Sequence, residues 1–371
     1  MKDNILFLVR DLAYYKKKVQ LSVKRKGKKL LYCTKKNSKV IYPTTVQLPI
    51  TNACNLDCVM CNIHGNKMQM ISIKDFEKKV IKSKLLKNVD SVGINGGEPF
   101  LVSNIEEYIR NITLLPNLKN IFIISNGLLT NRIVEKLKII KRICGERKIH
   151  LTISFSMDGI GEVHDRVRNK KGAFSSLMET VDIIKSNMEL YCDNLNFICT
   201  ISKYNVEYLS EVDYFAKRNH LQINYNIATI HKRLKNDSKF ENFTILNDRH
   251  SCLLAAEFFY RKFYETNIAK YYALYLYLYN EPHVRYGECQ YLHNAITITP
   301  EGGICYCATW SKVLGNIYEG DLETIYFENQ KYNDVIKNEY CKNCSHYLID
   351  INSRGTIELD KARLNKYGKA W

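Results

Sequence analysis

The chain of 371 residues has no long hydrophobic run. No window approaches the roughly 18 apolar residues that a membrane-spanning helix needs, so we expect no transmembrane segment. The apolar run within residues 1–10 is too short for the core of a signal peptide, and we find no internal repeat or low-complexity linker. Together with a hydrophobic content of 46%, these absences predict a globular cytoplasmic protein of two domains, or of one large domain with an appendage.

Acidic residues are scarce, with 38 Asp and Glu against 55 Lys and Arg and a formal charge of +17. The imbalance is concentrated in residues 1–40, where thirteen Lys and Arg are accompanied only by Asp3 and Asp11. The simplest interpretation of such a segment is a basic surface exposed to solvent. Its charge also suits an anionic substrate, a lipid head group or nucleic acid, and these alternatives stay open.

Between residues 45 and 235, β-rich runs alternate with amphipathic helical patterns. Six such repeats predict an α/β fold of parallel strands with right-handed crossovers, a partial (β/α)6 TIM-like barrel. Reactive groups in such a fold lie at the carboxyl ends of the strands. The predicted strands are residues 45–49, 91–94, 120–124, 150–155, 196–201 and 222–227. The predicted helices are residues 73–86, 105–115, 131–143, 175–186 and 206–218.

The pattern changes after the predicted barrel. Residues 236–284 carry Phe and Tyr at helical spacing, which indicates a helical linker with aromatic packing. Residues 285–350 hold a second group of cysteines between turn signals and predict a small domain. A basic segment at residues 1–44 and a tail at residues 351–371 complete the predicted organisation.

Three cysteines, Cys54, Cys58 and Cys61, follow the first predicted strand, and no fourth cysteine lies nearby. A [4Fe–4S] cluster has four irons, so three thiolates leave one iron open for a substrate or cofactor. A zinc site with His64 as fourth ligand is the alternative. In a chain expected to be cytoplasmic, clustered cysteines indicate a metal site rather than disulfides.

Two further motifs lie at predicted strand ends. The run GGEP at residues 96–99 follows the second strand, and SFSMDG at residues 154–159 ends the fourth. Together with the cysteine motif, these runs make residues 42–347 resemble the radical S-adenosylmethionine (SAM) enzymes. The combination favours an iron–sulfur cluster over zinc.

The resemblance implies a role for each motif. Cys54, Cys58 and Cys61 hold a [4Fe–4S] cluster, and the amino and carboxylate groups of SAM chelate its fourth iron. Met60 stands where the family usually has an aromatic residue against adenine, and its thioether offers an apolar contact. Arg168 matches an arginine near the SAM carboxylate, with a salt bridge as the alternative. The implied SAM-binding residues are Met60, Gly96, Gly97, Glu98, Pro99, Ser154, Ser156, Asp158 and Arg168.

The later cysteines resemble the SPASM domain of these enzymes in its shorter, twitch form, because no cysteine follows Cys344. The resemblance implies one auxiliary [4Fe–4S] cluster, and a zinc ribbon is the alternative. Cys305 either replaces Cys307 as a ligand, donates a hydrogen atom to a substrate radical, or is simply buried. The implied ligands are Cys289, Cys307, Cys341 and Cys344. The isolated cysteines expected in the core are Cys33, Cys144, Cys192, Cys199 and Cys252.

The resemblance also implies an activity, the reductive cleavage of SAM to a 5′-deoxyadenosyl radical that abstracts a hydrogen atom. We expect the substrate to be a sugar, cyclitol or amino-acid derivative that is oxidised or epimerised, with a flavodoxin- or ferredoxin-type reductant. Modification of a ribosomally made peptide is the second hypothesis. A non-catalytic iron–sulfur or nucleic-acid-binding protein, suggested by the charge of +17, is the third.

Overall fold

The computed structural model describes residues 42–64, 67–266, 268–285, 289, 291 and 294–346. All of the predicted site residues lie within these ranges. The predicted basic segment up to residue 41, which includes Cys33, and the predicted tail lie outside the described residues.

One sheet of nine strands organises the described chain. The strands are β1 (Thr45–Thr51), β2 (Ser91–Gly96), β3 (Asn120–Ser125), β4 (His150–Ser156), β5 (Asn194–Ile201), β6 (Gln222–Ile227), β7 (Ala295–Ile298), β8 (Gly303–Cys305) and β9 (Gly315–Asn316). Their order across the sheet is β6-β5-β4-β3-β2-β1-β7-β8-β9, and β1 to β6 are all parallel. Since β6 and β9 form the two edges of the described sheet, the barrel is open, and the predicted partial barrel is confirmed.

Strand β1 lies between β2 and β7, and all seven of its residues are buried. It continues past the predicted end at Pro49 as far as Thr51. The β7 register reaches only to Gln47, and the β2 register shifts between Pro49 and Thr51, so the missing N–H of the proline is accommodated where the ladder is already irregular. The cysteine loop therefore begins directly at the carboxyl end of a central strand.

Helices connect the strands at the predicted places. They are α1 (Ile73–Asp75), α2 (Ile105–Ile112), α3 (Thr130–Glu146), α4 (Glu162–Arg168), α5 (Ala173–Ser186), α6 (Leu209–Arg218), α7 (Phe240–Phe243), α8 (Arg249–Thr266), α9 (Ala269–Tyr279), α10 (Leu322–Glu328) and α11 (Gln330–Glu339). The helix expected over residues 73–86 is instead α1, a π-helical segment (Phe76–Ile81) and a 3₁₀ turn (Lys84–Leu86). The spacing of its buried residues suits the wider π turn. No helix in the described ranges is long and apolar enough to cross a bilayer.

The aromatic segment forms the helical pair α8 and α9, as the spacing predicted. The rings of Phe259 and Tyr271 stack with centroids 6.0 Å apart, and those of Phe263 and Tyr272 are 4.9 Å apart. Tyr225 of β6 meets Phe258 edge-on at 4.9 Å, which ties the pair to the sheet. Aromatic pairs of this kind stabilise packing by about 0.5–1.5 kcal/mol each beyond their buried area.

Strand β7 joins the later cysteine segment to the barrel sheet. It pairs in parallel with β1 from Thr45↔Ala295 to Gln47↔Thr297, and β8 and β9 then continue the sheet antiparallel. The strand that carries Cys305 is thus two positions from β1, whose end begins the first cysteine loop. Sheet order brings the two cysteine groups to neighbouring parts of the molecule, although they are far apart in sequence.

Candidate functional site

The first cysteine loop follows β1 and carries Cys54, Cys58 and Cys61 as free thiols. The N–H of Cys61 donates to the carbonyl of Cys58 at 3.0 Å, a tight turn that holds these two residues together. Burial raises the pKa of Cys54 to about 12 and that of Cys58 above its usual value. Buried thiolates need nearby positive charge, which a metal centre supplies.

The GGEP turn packs directly on the start of this loop. The N–H of Gly97 donates to Thr51 O at 2.8 Å, and that of Glu98 donates to Ala53 O at 2.9 Å. A Cβ on Gly97 would lie 1.8 Å from Ala53 O, so no larger residue fits without moving the backbone. Gly96 has φ +135°, a conformation that also favours glycine. The two glycines therefore let the turn and the cysteine loop approach closely.

Glu98 is fully buried and binds the turn to the end of β3. Its carboxylate accepts hydrogen bonds from Ser125 Oγ at 2.9 Å, Asn126 N at 2.8 Å and Phe100 N at 3.1 Å. Burial raises the pKa of Glu98 to about 7, and these bonds oppose the rise. Because Asn126 also donates to Asn55 Oδ1 at 2.8 Å, the network reaches the cysteine loop. A carboxylate has about four acceptor positions, and these donors occupy three of them.

An ion pair links the end of β4 to the same loop. Arg168 Nη2 lies 2.5 Å from Asp158 Oδ2, and Arg168 Nη1 donates to Cys58 Sγ at 3.7 Å. Both side chains are buried. Burial works against the charge of Arg168, but the Asp158 carboxylate more than offsets it, so the pKa of Arg168 lies above its ordinary value. The guanidinium thus supplies positive charge beside a buried thiol.

Asp158 is held on several sides. Its Oδ1 accepts from Thr200 N at 2.7 Å and its carbonyl accepts from Asn205 Nδ2 at 2.8 Å. Its N–H donates to His164 Nδ1 at 3.2 Å, and burial together with Arg168 lowers the pKa of this histidine to about 3. A neutral imidazole in this place accepts the bond without adding charge. Asp158 therefore orients Arg168 rather than facing open space.

The other predicted SAM contacts occupy varied environments. Ser154 is buried and hydrogen-bonds to Asn196 on β5, whereas Ser156 is partly exposed at the end of β4. Met60 is buried against Phe243 and other apolar residues, and its carbonyl accepts from Asn236 Nδ2 at 2.9 Å. Pro99 is buried at the start of a 3₁₀ turn.

The four predicted auxiliary ligands line one cavity. Cys289 and Cys344 are buried, while Cys307 and Cys341 are partly exposed. Burial raises the pKa of Cys341 to about 12, with further contributions from the neighbouring thiols, and Arg285 opposes the rise. The lining cysteines are Cys289, Cys307, Cys341 and Cys344.

Nearby residues shape this second cavity. The backbone N–H of Trp310 donates to Cys307 Sγ at 3.2 Å, and its indole ring stacks on Tyr340 with centroids 5.0 Å apart. Arg285 and His346 complete part of the wall. Backbone donors and a cation beside a thiol favour its ionised form, which is what a cluster ligand requires.

Cys305 does not line the cavity of the four predicted auxiliary ligands. It is two residues before Cys307, and a separate cavity of about 520 Å³ has Cys305 in its wall. In a continuous strand Cys305 and Cys307 would lie on the same face, because alternate residues of a strand do so. Strand β8 ends at Cys305, so the turn that follows it separates the two thiols. Burial raises the pKa of Cys305 to about 12, so the thiol is protonated at neutral pH.

No three His, Cys, Asp or Glu side chains converge on a single-ion geometry within the described ranges. A cubane does not require such convergence, because each of its thiolates binds a different iron. The free thiols, the close glycine turn and the Arg168 cation fit the first cluster, and the cysteine cavity fits the second.

Comparison with protein families identifies the domains that carry these residues. Residues 48–214 match the Radical SAM superfamily, and residues 289–345 match the SPASM family, an iron-sulfur cluster-binding domain. The chain carries a radical SAM domain followed by a SPASM domain. Its radical SAM domain implies a [4Fe–4S] cluster that binds SAM, and its SPASM domain implies auxiliary iron–sulfur binding. The predicted family and cofactor classes are confirmed.

Several known proteins are similar to this radical SAM chain. The sporulation killing factor maturation protein SkfB of Bacillus subtilis is 26% identical over 172 residues, which cover 46% of this chain and 38% of SkfB. A GTP 3′,8-cyclase of Clostridium botulinum is 26% identical over 141 residues, 37% of this chain and 42% of the cyclase. The matches thus span about two-fifths of these relatives.

A solved structure supports the fold. Streptococcus suis SuiB bound to the precursor peptide SuiA aligns with a TM-score of 0.56 at 15% identity, over 87% of this chain and 79% of SuiB. At this level of identity the likeness concerns the fold alone.

Sequence reasoning missed the basic run that follows β6. Lys232, Arg233 and Lys235 line the cavity that contains Cys305, together with Lys312. The signal was available, because polar residues directly after a barrel strand lie at the reactive end of the sheet. The buried partners of Asp158, including Asn205, carried no such signal, since they act through folded contacts alone.

Proposed function

We propose that this radical SAM protein abstracts a hydrogen atom from a small-molecule substrate that it then oxidises or epimerises. When bound, the reduced cluster with SAM supplies the 5′-deoxyadenosyl radical for this step. The observation that carries the proposal is the joining of three motifs at one end of the sheet: Gly97 packs on the cysteine loop, and Arg168 connects Asp158 to Cys58.

The motif residues divide into ligands and positioning groups. In this proposal Cys54, Cys58 and Cys61 hold the cluster, and the remaining acceptor position of Glu98 receives the SAM ammonium. Arg168 fixes the cysteine loop and stabilises the Cys58 thiolate. Gly96, Gly97, Pro99, Ser154, Ser156, Met60 and Asp158 shape the surrounding pocket.

The SPASM residues Cys289, Cys307, Cys341 and Cys344 hold one auxiliary cluster in this proposal. Four thiolates complete the coordination of a [4Fe–4S] cluster, which suits electron transfer rather than substrate binding. Their position around one cavity supports this assignment. A flavodoxin- or ferredoxin-type protein is the proposed reductant, in a cytoplasm that keeps the thiols reduced.

The cavity beside Cys305 is the proposed substrate pocket. Its volume of about 520 Å³ falls within the range of small-molecule sites, roughly 300–1,000 Å³. A protonated Cys305 thiol in its wall is placed to return a hydrogen atom to a substrate carbon, breaking S–H and forming C–H. Return of hydrogen gives the epimer and leaves a Cys305 thiyl radical, which one electron from the auxiliary cluster and one proton would restore to the thiol. Loss of one electron from the substrate radical to the auxiliary cluster, with loss of a proton, would give oxidation instead.

Peptide modification is the second candidate function. Two comparisons favour it, since SkfB is described as a maturation protein for a killing factor and SuiB was solved with a precursor peptide. The volume of the cavity and its charge favour a smaller substrate.

Cysteine variants of the anaerobically reconstituted protein test the proposal. With a chemical reductant and SAM, Cys58→Ala should form no 5′-deoxyadenosine, whereas Cys344→Ala should retain SAM cleavage while losing net substrate oxidation. Cys192→Ala is the matched control, because this buried cysteine lies in neither site. Absence of SAM cleavage by the wild-type protein with intact clusters would refute the proposed function.

A further inference from the structure

The cavity beside Cys305 is built from three separate parts of the chain. The first cysteine loop supplies Asn52, the segment after β6 supplies Arg233, and the SPASM segment supplies Thr297 and Lys312. Arg233 is close enough to Cys61, Tyr291 and the cavity carboxylate Glu301 for electrostatic interaction with them. The cavity is therefore built from the same segments that carry the two cysteine groups.

Positive charge dominates this wall. Among the described residues, the single carboxylate that lines the cavity is Glu301, which accepts a hydrogen bond from Asn52. The ammonium of Lys312 lies 4.8 Å from the Tyr332 ring centroid, a contact that leaves its N–H donors able to bind an anion. The lining cations are Lys67, Lys232, Arg233, Lys235 and Lys312.

Arg233 is the most constrained of these cations. Its Nη1 is enclosed by the protein and has no hydrogen-bond partner among the described residues. Burial lowers its pKa, although a guanidinium stays charged at neutral pH. A buried, unpaired guanidinium donor is costly unless a bound group satisfies it.

The backbone around Arg233 is fixed in place. Lys232 N donates to Thr309 O at 3.0 Å, which attaches the basic run to the SPASM segment. Asn236 is buried and accepts from His231 N at 2.9 Å, while its Nδ2 donates to Met60 O at 2.9 Å. The run is therefore tied both to the first cysteine loop and to the second domain, which preorganises it for a ligand.

We propose that this cavity binds a phosphoryl group of the substrate, with Arg233 as its central contact. Five cations against one carboxylate in the described part of the wall suit a multiply charged anion better than a single carboxylate. The guanidinium fork matches two phosphoryl oxygens, and the lysines add point charges around them. The substrate class is a phosphorylated small molecule, such as a sugar phosphate or a nucleotide. Its role as the reacting substrate rests on the proposed function.

Titration calorimetry of the reconstituted full-length protein with inorganic pyrophosphate tests the inference. Arg233→Gln should weaken binding at least tenfold, because it removes a charge-assisted bidentate contact. Lys312→Gln should weaken it several-fold and serves if the first variant does not fold. Arg147→Gln, an exposed change of equal charge at the end of α3, should bind like the wild type.

Three outcomes would overturn the inference. The first is no pyrophosphate binding by the wild type, and the second is equal loss in Arg233→Gln and Arg147→Gln. The third is tighter binding of hexaglutamate than of pyrophosphate, lost in Arg233→Gln, which would assign the cavity to an acidic peptide instead. Uncoupled SAM cleavage is measured separately, so binding without cleavage would refute the proposed function and leave the phosphoryl site standing.

Discussion

Replacing Gly97 with alanine should destabilise the protein more than any other glycine-to-alanine change in the barrel loops. The new Cβ would lie 1.8 Å from Ala53 O and 3.1 Å from Cys54 N, contacts that only a backbone shift relieves. That shift breaks the bonds from Gly97 N to Thr51 O and from Glu98 N to Ala53 O. Gly97 is not in the positive-φ region, so the effect comes from the contact rather than from backbone strain.

The magnitude follows from these contacts. The two lost backbone bonds are each worth about 1 kcal/mol. Separating two packed backbones costs about 1–3 kcal/mol more. We therefore expect Gly97→Ala to lower the free energy of unfolding by about 3–5 kcal/mol in equilibrium urea denaturation, and to lower the iron content of the first site because Cys54 moves with the loop.

Gly145→Ala is the matched control. Gly145 lies in α3, and a Cβ added there would have no heavy atom within 4 Å, so alanine should raise stability by roughly 0.5–1 kcal/mol through its higher helix propensity. If Gly97→Ala retained wild-type stability and iron content, the close packing of the turn on the cysteine loop would not be what requires glycine there.

The remaining predictions concern buried charge and the choice of ligands. Since burial raises the pKa of Glu98 from 4.5 to about 7, the folded state holds this proton more tightly, and wild-type stability should fall from pH 5 to 8 relative to Glu98→Gln by up to about 3 kcal/mol. If urea unfolding gave the same pH dependence of stability for the wild type and Glu98→Gln, this prediction would be wrong. Arg168→Gln should cost about 3–5 kcal/mol and Asp158→Asn should partly rescue it, whereas additive losses would argue against the pair. Iron analysis should show loss of the auxiliary cluster in Cys307→Ala and its retention in Cys305→Ala. The opposite result would make Cys305 the cluster ligand in place of Cys307.

Glu98 and Asp158 have a common function in the structure. Each is fully buried, and each connects a strand end to the cysteine loop, Glu98 through Asn126 and Asp158 through Arg168. Loops that carry reactive groups need such support to hold their geometry. These acids therefore stabilise the arrangement of the site in addition to any contact they make with SAM.

The amino-acid sequence by itself determined the family, the parallel α/β barrel and the cysteine groups. Strand and helix periodicity are local properties, and Cys54, Cys58 and Cys61 lie within a single loop, so their association needs no knowledge of distant contacts. The aromatic helices followed for the same reason. The break of the helix at residues 73–86 could not be predicted from the local pattern, because the packing of its buried face selected the π turn.

Tertiary structure decided which distant residues meet. The pairing of β7 with β1 set the two cysteine groups side by side, and the turn after β8 placed Cys307 and Cys305 in different cavities. Folding of the chain also brought Arg168 into contact with Cys58. It enclosed Arg233 Nη1 without a hydrogen-bond partner among the described residues. Spacing along the chain cannot encode such contacts, because sheet order and side-chain packing arise only when the whole core is assembled.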